Sequence, residues 1–398
     1  MEQSDNRYYL TKDDASLQFA CKKALEDAVR ITERNMEKYK SGEEYPINYL
    51  EDNTYTKVKN AGPGTHVWTE SFWTGMLWLC YEVTEKESFR LLAEKNLADF
   101  YNRVINNIEI DWHHDIGFLY TLAAVAPYKL TGNDFAKKTA LLATDYLINR
   151  FRSKGEFIQS AGFENDEPSK YRFIADTMMN LPLLFWASEV TGEEKYRDAA
   201  IRHANTTRQY IIRSNGGVYH HYLMDQKTGA PLRGLTLQGS SDDSYWSRAQ
   251  AWVIYGLAIE YSYTKSSESL EAFYHTLDFF IDHLPTDFIP YWDFIYNDGD
   301  DEPRDSSAGA IAVCGILEMA KHVAHDDKMT ACISIAKKML TSLTSKQYAI
   351  SFDDNHEGLL KHTTPGKPQG LWDTCCIYGD YYYMEALVRA THNWNMYW

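Results

Sequence analysis

One pattern recurs along the chain and limits the folds that it can adopt. A run of aromatic and small apolar residues ends at a Thr or Gly turn and leads into a charged segment with helical periodicity. This pattern is typical of a buried helix followed by an amphipathic one. The copies read FWTGMLWLCYEVTEKESFRLLAEK, GFLYTLAAVAPYKLTGNDFAKKTALLA, MMNLPLLFWASEVTGEEKYRDAAIRHA, SRAQAWVIYGLAIEYSYTKSSESLEAFYHTLDFFIDHL, SSAGAIAVCGILEMAKHVAHDDKMTACISIAKKML and the partial GDYYYMEALVRAT.

The partial sixth copy finds its missing partner in the N-terminal helix expected around residues 15–40. Six helical hairpins predict an all-α (α/α)6 barrel, in which an inner and an outer ring of helices close around one axis. An open solenoid is the alternative, because it is also built from one helix pair per repeat. Closure is favoured because the terminal copies lack the polar caps that a solenoid needs. We expect one catalytic domain over residues 1–398, with residues 1–13 as a loosely packed arm.

Little of the chain has the pattern of a strand. Two short stretches, 216–224 and 288–294, combine aromatic and β-branched residues with turn signals. We expect any strands to be confined to these loops between the helical hairpins.

Charge and leader signals restrict the partners of the chain. A net charge of −16 over 398 residues argues against binding nucleic acid or anionic membranes, since both need a basic surface. The N-terminus has no basic and apolar leader pattern, and no apolar run is long enough to span a bilayer. We expect a cytoplasmic protein, or a periplasmic one if a leader was removed. The six cysteines lack metal or redox spacing and are expected to be reduced core residues.

Polar residues gather where the predicted inner helices begin. All inner helices of such a barrel run in the same direction, so the residues at their N-termini become neighbours around one opening, here called the mouth. The polar and aromatic residues predicted at the mouth are Trp68 to Trp73, His114, Asp115, Asp176, Ser247, Arg248, Trp252, Asp305, Ser306 and Asp380.

Asp115 and Asp176 are the candidate catalytic residues of this set. Each can also be read as an ordinary N-cap, because Asp before an apolar helical run is a favoured capping residue. Asp176 is the stronger candidate, since its neighbours in FIADTMM are apolar and burial raises the pKa of a carboxyl. A raised pKa suits a proton donor near neutral pH, although a helix N-terminus acts in the opposite direction.

The segment His113-His114-Asp115 could suggest a metal site, but adjacent helical residues point in directions about 100° apart. No metal-ligand spacing, phosphate loop, dinucleotide motif or nucleophile elbow is present either, so we expect no metal and no cofactor. The tryptophan-rich, acidic surroundings suit a neutral or weakly anionic sugar.

Seven segments occur in the order WTESFWTGMLWLCYE, HHDIGFLY, IADTMMNLPLLFWA, QGSSDDSYWSRAQAWVIYG, YWDF, RDSSA and YGDYYYMEAL. Together they resemble the unsaturated glucuronyl hydrolases of glycoside hydrolase family 88, and the resemblance covers nearly the whole chain, from about residue 14 to 398. The resemblance implies an (α/α)6 barrel acting without a cofactor on the 4,5-unsaturated uronic acid at the non-reducing end of oligosaccharides. It also implies hydration of the C4=C5 enol ether, with a proton added to C4 and water to C5.

The resemblance also assigns roles to individual residues. It implies that Asp176 is the general acid and base and that Asp115 is the second essential carboxylate. Substrate contacts are implied, by motif position, for Trp68, His114, His220, Gln238, Arg248 and Trp252.

The chain departs from the family pattern at several positions. Ala161 stands where a Trp is common, Leu237 where a His or Arg is usual, and Ala249 where RGQAW has Gly. These changes affect the expected subsite for the leaving sugar more than the chemistry. The loop HTTPGK is loosely similar to a sulfate-binding loop, which makes Thr363, Thr364 and Lys367 candidates for contacting a sulfated substrate.

Alternatives within and outside this enzyme class stay open from the sequence. The expected partner is an unsaturated disaccharide of the chondroitin, hyaluronan or heparin type, bound by a monomer or homodimer. An unsaturated rhamnogalacturonyl hydrolase acting on pectin fragments, a sugar 2-epimerase and a noncatalytic sugar-binding barrel are the other readings.

Overall fold

The computed structural model describes residues 9–59, 68–106 and 113–398. Its helices alternate between an inner and an outer ring. The inner helices are α2 (Glu70–Thr84), α4 (Ile116–Tyr120) continued through the π-helical turn Thr121–Val125 into α5 (Ala126–Thr131), α7 (Leu181–Thr191), α9 (Ser247–Thr264), α11 (Ser306–Ala320) and α13 (Ile377–Thr391). The outer helices are α3 (Glu87–Ile105), α6 (Asp134–Ile148), α8 (Glu194–Thr206), α10 (Ser267–Asp282), α12 (Asp327–Leu343) and α1 (Ala15–Asn35).

The inner ring is closed. Going round it, α2 packs against α4, α4 against α7, α7 against α9, α9 against α11, α11 against α13, and α13 against α2. The N-terminal helix α1 packs on α13, α2 and α12, and is therefore the outer partner of the sixth pair. The prediction of an (α/α)6 barrel is confirmed, and the open solenoid is excluded.

The two rings differ in burial as their sequences predict. Every residue of α11 is buried, since this helix is enclosed by α9, α13 and α12. In α12 only one face is buried, with Met329, Ile333, Ala336 and Leu340 recurring at helical spacing. The outer ring therefore covers the apolar inner ring and turns its charged face to solvent.

Four of the turns between inner and outer helices are built in the same way. A Thr at the end of the inner helix donates its hydroxyl to the carbonyl four residues earlier, and the next residue is left-handed with φ between 56° and 75°. The left-handed residues are Glu85, Gly132, Gly192 and Lys265. This geometry ends the helix, satisfies its last carbonyls and reverses the chain.

Short strands lie in the connections outside the hairpins. The chain forms a hairpin of β1 (Glu44–Glu51) with β2 (Thr54–Lys59) and a small pair of β3 (Phe151–Arg152) with β4 (Phe157–Ile158). A three-stranded antiparallel sheet joins β5 (Arg172–Ile174), β6 (His221–Met224) and β7 (Pro231–Leu235).

The two strand predictions have different outcomes. Strand β6 lies within the stretch 216–224, as expected. The stretch 288–294 forms only isolated bridges, because Tyr291 and Asp293 pair singly with Arg304 and Trp246. The β1–β2 hairpin was not predicted. Its charged residues interrupt the alternation of apolar and polar residues that marks a strand. Tyr55 is the one buried residue of β2.

The end of the barrel opposite the mouth, here called the floor, is filled by the last residues of the chain. Trp398 is fully buried, stacks on Tyr382 at 6.0 Å between ring centroids, and donates its indole N–H to Glu385 Oε2 at 3.0 Å. Nearby, Arg389 pairs with both Glu385 and Glu318 and donates to the Tyr255 hydroxyl. These charges tie α9, α11 and α13 together.

Two further expectations concern the termini and the cysteines. Residues 1–8 of the expected arm lie outside the described residues, whereas Tyr9 and Leu10 are buried, and Tyr9 donates its hydroxyl to Leu317 O at 2.7 Å. All six cysteines are buried and unbridged, as predicted. Among the helices of the described segments, none has the length and apolarity to cross a membrane.

Candidate active site

The N-termini of the inner helices meet at the mouth, as the barrel requires. Trp68, just before α2, stacks on Tyr378 of α13 at 5.2 Å and lies 5.5 Å from Phe118 of α4. Arg248 of α9 lies over the same Tyr378 ring, 5.1 Å from its centroid, and forms an ion pair with Asp305, the residue before α11. These contacts join residues from distant parts of the sequence into one site.

Asp176 is held in a 3₁₀ turn (Ala175–Met179) between β5 and α7. Its side chain is 14% exposed, and Oδ1 has no hydrogen-bond partner within the described residues. Burial, and next the negative charge of Asp115, raise the pKa of Asp176 to about 7, while Arg248 acts in the opposite direction. This carboxyl can therefore hold and release a proton near neutral pH.

Asp115 occupies the N-cap position of α4, and its pKa is shifted in the direction opposite to that of Asp176. Its side chain is 18% exposed, and its oxygens lie 3.4 Å from His114 Nε2 and 3.4 Å from His113 Nδ1. Burial acts to raise the pKa of Asp115, but the two imidazoles and Arg150 hold it below its ordinary value. Asp115 is therefore an anion next to a carboxyl that can be neutral.

His114 is buried between these two acids. Its Nδ1 lies 3.0 Å from Thr177 Oγ1 and 3.2 Å from Asn180 Nδ2, while its Nε2 faces Asp115. Burial lowers the pKa of His114 to about 4, with Asp115 acting in the opposite direction. The imidazole is neutral at physiological pH and can donate a proton to a hydrogen bond without carrying a charge.

His220 approaches Asp176 from the neighbouring sheet. Its Nε2 lies 3.9 Å from Asp176 Oδ1 and 3.1 Å from Nε2 of His221, the first residue of β6. Trp246 packs on the His220 ring at 4.4 Å between centroids. Burial lowers the pKa of both histidines well below the ordinary value, so this pair is neutral as well.

An aromatic column leads from the mouth to the floor. Phe118 lies 5.2 Å from Trp252, and Trp252 lies 5.2 Å from Tyr382, which stacks on Trp398. Trp252 is completely buried, so in this structure it supports the site from beneath rather than presenting a face to solvent. Trp68 is only partly buried and is the more accessible of the two predicted tryptophans.

The predicted polar residues Gln238 and Arg248 both bind the loop that follows α12. Gln238 donates to Pro365 O at 2.9 Å, and Arg248 donates to Thr364 O at 2.8 Å and Pro365 O at 2.7 Å. Arg248 also pairs with Asp305, so both of its terminal nitrogens are engaged within the protein. These two residues position the loop beside the mouth.

The three candidates for sulfate recognition lie in the same loop but differ in exposure. Thr363 and Thr364 are buried, and their hydroxyls donate to the carbonyls of Thr374 and Arg304. Lys367 is half-buried, pairs with Glu302, and lies over the rings of Trp292 and Trp372.

The departures from the family pattern fall at different depths. Ala161 is half-exposed and bridges to His113, next to the acid pair. Leu237 is 50% exposed, and its carbonyl accepts from Gln369 of the loop. Ala249 is fully buried. No cluster of three His, Cys, Asp or Glu side chains suited to a metal ion occurs in the described residues.

Two residues at the site were missed by sequence reasoning. Asn180 contacts His114, and His221 contacts His220, although neither stands in a recognisable catalytic motif. The signal for Asn180 is its spacing, four residues after Asp176 within one helical turn. His221 was visible in the sequence VYHHY, but the pairing of β5 with β6 decides which of the two histidines faces Asp176.

Comparison with known proteins agrees with this geometry. The family model for Glycosyl Hydrolase Family 88 matches residues 28–396. The unsaturated chondroitin disaccharide hydrolase of Streptococcus pneumoniae is 39% identical over 381 residues, covering 94% of this chain and 93% of that protein. The crystal structure of unsaturated glucuronyl hydrolase from Streptococcus agalactiae has a TM-score of 0.90 at 37% identity, covering 100% of this chain and 98% of the other. A mutant of that enzyme complexed with dGlcA-GalNAc6S has a TM-score of 0.82 at 35% identity over the same shares. The chain belongs to glycosyl hydrolase family 88.

Proposed function

We propose that this protein hydrolyses oligosaccharides that end in a 4,5-unsaturated uronic acid, by hydrating the C4=C5 double bond. The proposal rests on two carboxyls at the mouth whose pKa values are shifted in opposite directions. Asp176 has a pKa of about 7, whereas the pKa of Asp115 is lowered. One of them can donate a proton while the other remains an anion, and acid–base chemistry near neutral pH requires this difference.

The reaction begins with proton transfer from Asp176 to C4. The C4=C5 electron pair forms the new C–H bond, and the ring oxygen stabilises the positive charge that develops at C5. Water then adds to C5 and returns its extra proton to Asp176. The resulting hemiketal opens by breaking the bond between C5 and the ring oxygen, which leaves a ketone at C5 and a hemiacetal at C1. The hemiacetal then releases the rest of the sugar chain as an alcohol and becomes an aldehyde. Water does not attack the anomeric carbon, so the carboxylate spacing that separates retaining from inverting glycosidases does not apply.

The residues around the two acids bind the uronate ring in this proposal. Trp68 offers an aromatic face at the mouth, and His220 stands beside Asp176 to contact the ring. Asp115 and the Nε2 side of His114 hold sugar hydroxyls. Trp252 packs against Phe118 and supports the uronate pocket from beneath. Gln238 and Arg248 hold the loop at the rim of the mouth.

The substrate class is a glycosaminoglycan disaccharide of the chondroitin type. The support comes from the printed name of the Streptococcus pneumoniae relative and from the disaccharide bound to the Streptococcus agalactiae mutant. Lys367 is the candidate contact for a sulfate group, and the buried Thr363 and Thr364 hold the loop that carries it. Because Lys367 is paired with Glu302, a sulfate must compete with this carboxylate.

The test follows the ultraviolet absorbance of the conjugated C4=C5 bond, which hydration abolishes. Unsaturated chondroitin, hyaluronan and heparin disaccharides, sulfated and unsulfated, and unsaturated pectin-derived disaccharides are each incubated with wild type and with Asp176→Asn. We expect wild type to remove the absorbance and Asp176→Asn to be slower by roughly 10²- to 10⁴-fold, the contribution of a general acid.

Asp99→Asn is the matched control. Asp99 also has a pKa raised by burial, but it lies on the outer helix α3 and bonds Tyr45. It should retain wild-type activity. Full activity of Asp176→Asn would refute the assignment of the acid. Activity on pectin-derived disaccharides alone would indicate an unsaturated rhamnogalacturonyl hydrolase, and tight binding without turnover would indicate a sugar-binding barrel.

A further inference from the structure

Asn180 is completely buried and contacts both of the chain segments that carry the two acids. Its Oδ1 accepts the backbone N–H of Phe118 at 2.8 Å, in the first turn of α4 and three residues after Asp115. Its Nδ2 lies 3.2 Å from His114 Nδ1 and 3.3 Å from the carbonyl oxygen of Asp176. One side chain therefore links the segment of Asp115 to the turn of Asp176.

The bond from Phe118 fixes the orientation of the amide. Because Oδ1 must face a backbone N–H, the amide NH₂ group must face His114 Nδ1. Nδ1 has a second partner, the Thr177 hydroxyl at 3.0 Å, which can either donate or accept, whereas the NH₂ group can only donate. Both partners are satisfied together only when Nδ1 is the acceptor. The proton of the neutral imidazole is then on Nε2, which faces Asp115 Oδ1 at 3.4 Å.

Gly117 supports the same contact independently. A Cβ atom on Gly117 would overlap both Cα and the carbonyl oxygen of Asn180. The start of α4 is therefore packed directly against the backbone of residue 180, and a side chain at position 117 would push the two segments apart.

We propose that Asn180 is a positioning residue, which holds His114 in the Nε2-protonated neutral form and sets the spacing between Asp115 and Asp176. The inference rests on the proposed function, since it assigns a role within that site. Asn180 does not contact the reacting atoms. It acts through His114, whose Nε2 faces Asp115 Oδ1 at 3.4 Å, and through the backbone of the Asp176 turn.

Asn180→Asp isolates the electrostatic part of this role, because Asp has the same shape and can keep the bond from Phe118. The new carboxylate would face His114 Nδ1 and favour a proton there, so the pKa of His114 rises from about 4. The other groups acting on His114 are Asp115, His113 and Arg150, and they are unchanged. We expect kcat to fall by about 10²-fold, as for a misplaced catalytic group. We also expect the acidic limb of the kcat profile to move to higher pH.

Asn96→Asp is the matched control. Asn96 is equally buried, and its amide also has one donor and one acceptor partner, Thr74 Oγ1 and Gly42 O. It lies on the outer helix α3, away from the mouth. This variant should lose stability in thermal unfolding and should keep the pH profile of the wild type.

The decisive measurement does not depend on activity. Nitrogen NMR of protein labelled with ¹⁵N-histidine reports the protonation of each ring nitrogen, and the His114 signals are assigned by their loss in His114→Gln. We expect a neutral, Nε2-protonated His114 in wild type from pH 5 to 8 and a protonated Nδ1 in Asn180→Asp, since the pKa starts from about 4.

Each failure has a separate meaning. An Nδ1-protonated His114 in wild type, or no change in Asn180→Asp, would overturn the positioning role whatever the activity. Absence of turnover by wild type would instead refute the proposed function. An Asn180→Asp variant with an altered tautomer but with unchanged kcat and pH profile would also overturn the role, because the tautomer would then have no effect on the reaction.

Discussion

Asp115 and Asp176 are chemically the same residue, and their surroundings give them different tasks. Asp176 is close to an anion and lacks hydrogen-bond donors on Oδ1, so its proton is held more tightly. Asp115 has imidazoles on both sides and loses its proton more easily. Since each carboxyl affects the other, the two protonation steps belong to the pair as a whole.

The pH dependence of the reaction should follow this division. Asp176 must be protonated to act on C4, and its pKa is about 7, so kcat should decline as the pH rises through 7. Towards lower pH the rate should level off, because Asp115 remains ionised and His114 remains neutral until about pH 4. A kcat profile measured by absorbance between pH 4.5 and 9 checks this. A rate that increases as the pH rises through 7 would show that Asp176 works as an anion.

At this scale the sequence predicted the two acids and their neighbours at the mouth, because helix starts are marked by Asp before an apolar run. It could not predict which nitrogen or oxygen each side chain faces. Arg248 was expected to contact a substrate, yet Asp305 and two loop carbonyls occupy its terminal nitrogens. Such partners come from residues more than 50 positions away, so no local pattern indicates them.

The repeated turn between inner and outer helices is the main feature at the scale of elements. Gly192 and Lys265 occupy equivalent positions with φ of 75° and 56°. A residue with a Cβ in this conformation costs about 1–2 kcal/mol, whereas glycine does not. Nothing lies within 4 Å of a Cβ built on Gly192, so only the backbone conformation opposes a substitution there.

Adding a Cβ atom at position 192 and removing the side chain at position 265 should therefore change the free energy of unfolding in opposite directions. Gly192→Ala should lower the free energy of unfolding by about 1 kcal/mol, and Lys265→Gly should raise it by up to the same amount. Thermal or denaturant unfolding measures both. Equal destabilisation by the two variants would show that the side chain of Lys265, rather than its backbone, stabilises the turn.

The helical hairpins were predictable because burial and periodicity are local properties of the sequence. The strands were harder to predict, since β5, β6 and β7 have only three to five residues and β5 pairs with residues about 50 positions later in the chain. The π-helical turn Thr121–Val125 also has no signal of its own, because it lies inside an apolar run and precedes Pro127.

At the scale of the whole molecule, the ring is closed at the floor by a buried group of charges. Arg389 is enclosed by Glu318, Glu385 and Tyr255, which come from three inner helices. Arg389→Met would remove the cation that pairs with Glu385 and would leave Glu318 with only His322 and Lys321. Breaking a buried pair in this way costs about 3–5 kcal/mol, so we expect a large loss in denaturant unfolding.

Arg202→Met is the control, since Arg202 pairs with Glu156 and Asp198 on the surface and should cost less than about 1 kcal/mol. Below its unfolding temperature, Arg389→Met should retain the wild-type kcat, because the group lies at the end of the barrel opposite the mouth. A loss of kcat in the folded variant would show that the floor is coupled to the acids.

The packed floor also limits the route by which products can leave the site. Trp398, Tyr382 and Trp252 fill the lower part of the barrel axis, while Asp115 and Asp176 keep 18% and 14% of their side-chain surface exposed at the mouth. Within the described residues, entry and exit therefore share one opening. We therefore expect the part of the saccharide nearest the rim to leave first, and the released uronate to leave last and to compete with the next chain end. On this expectation the enzyme removes one terminal unit per encounter and does not remain bound along a polymer between successive cuts.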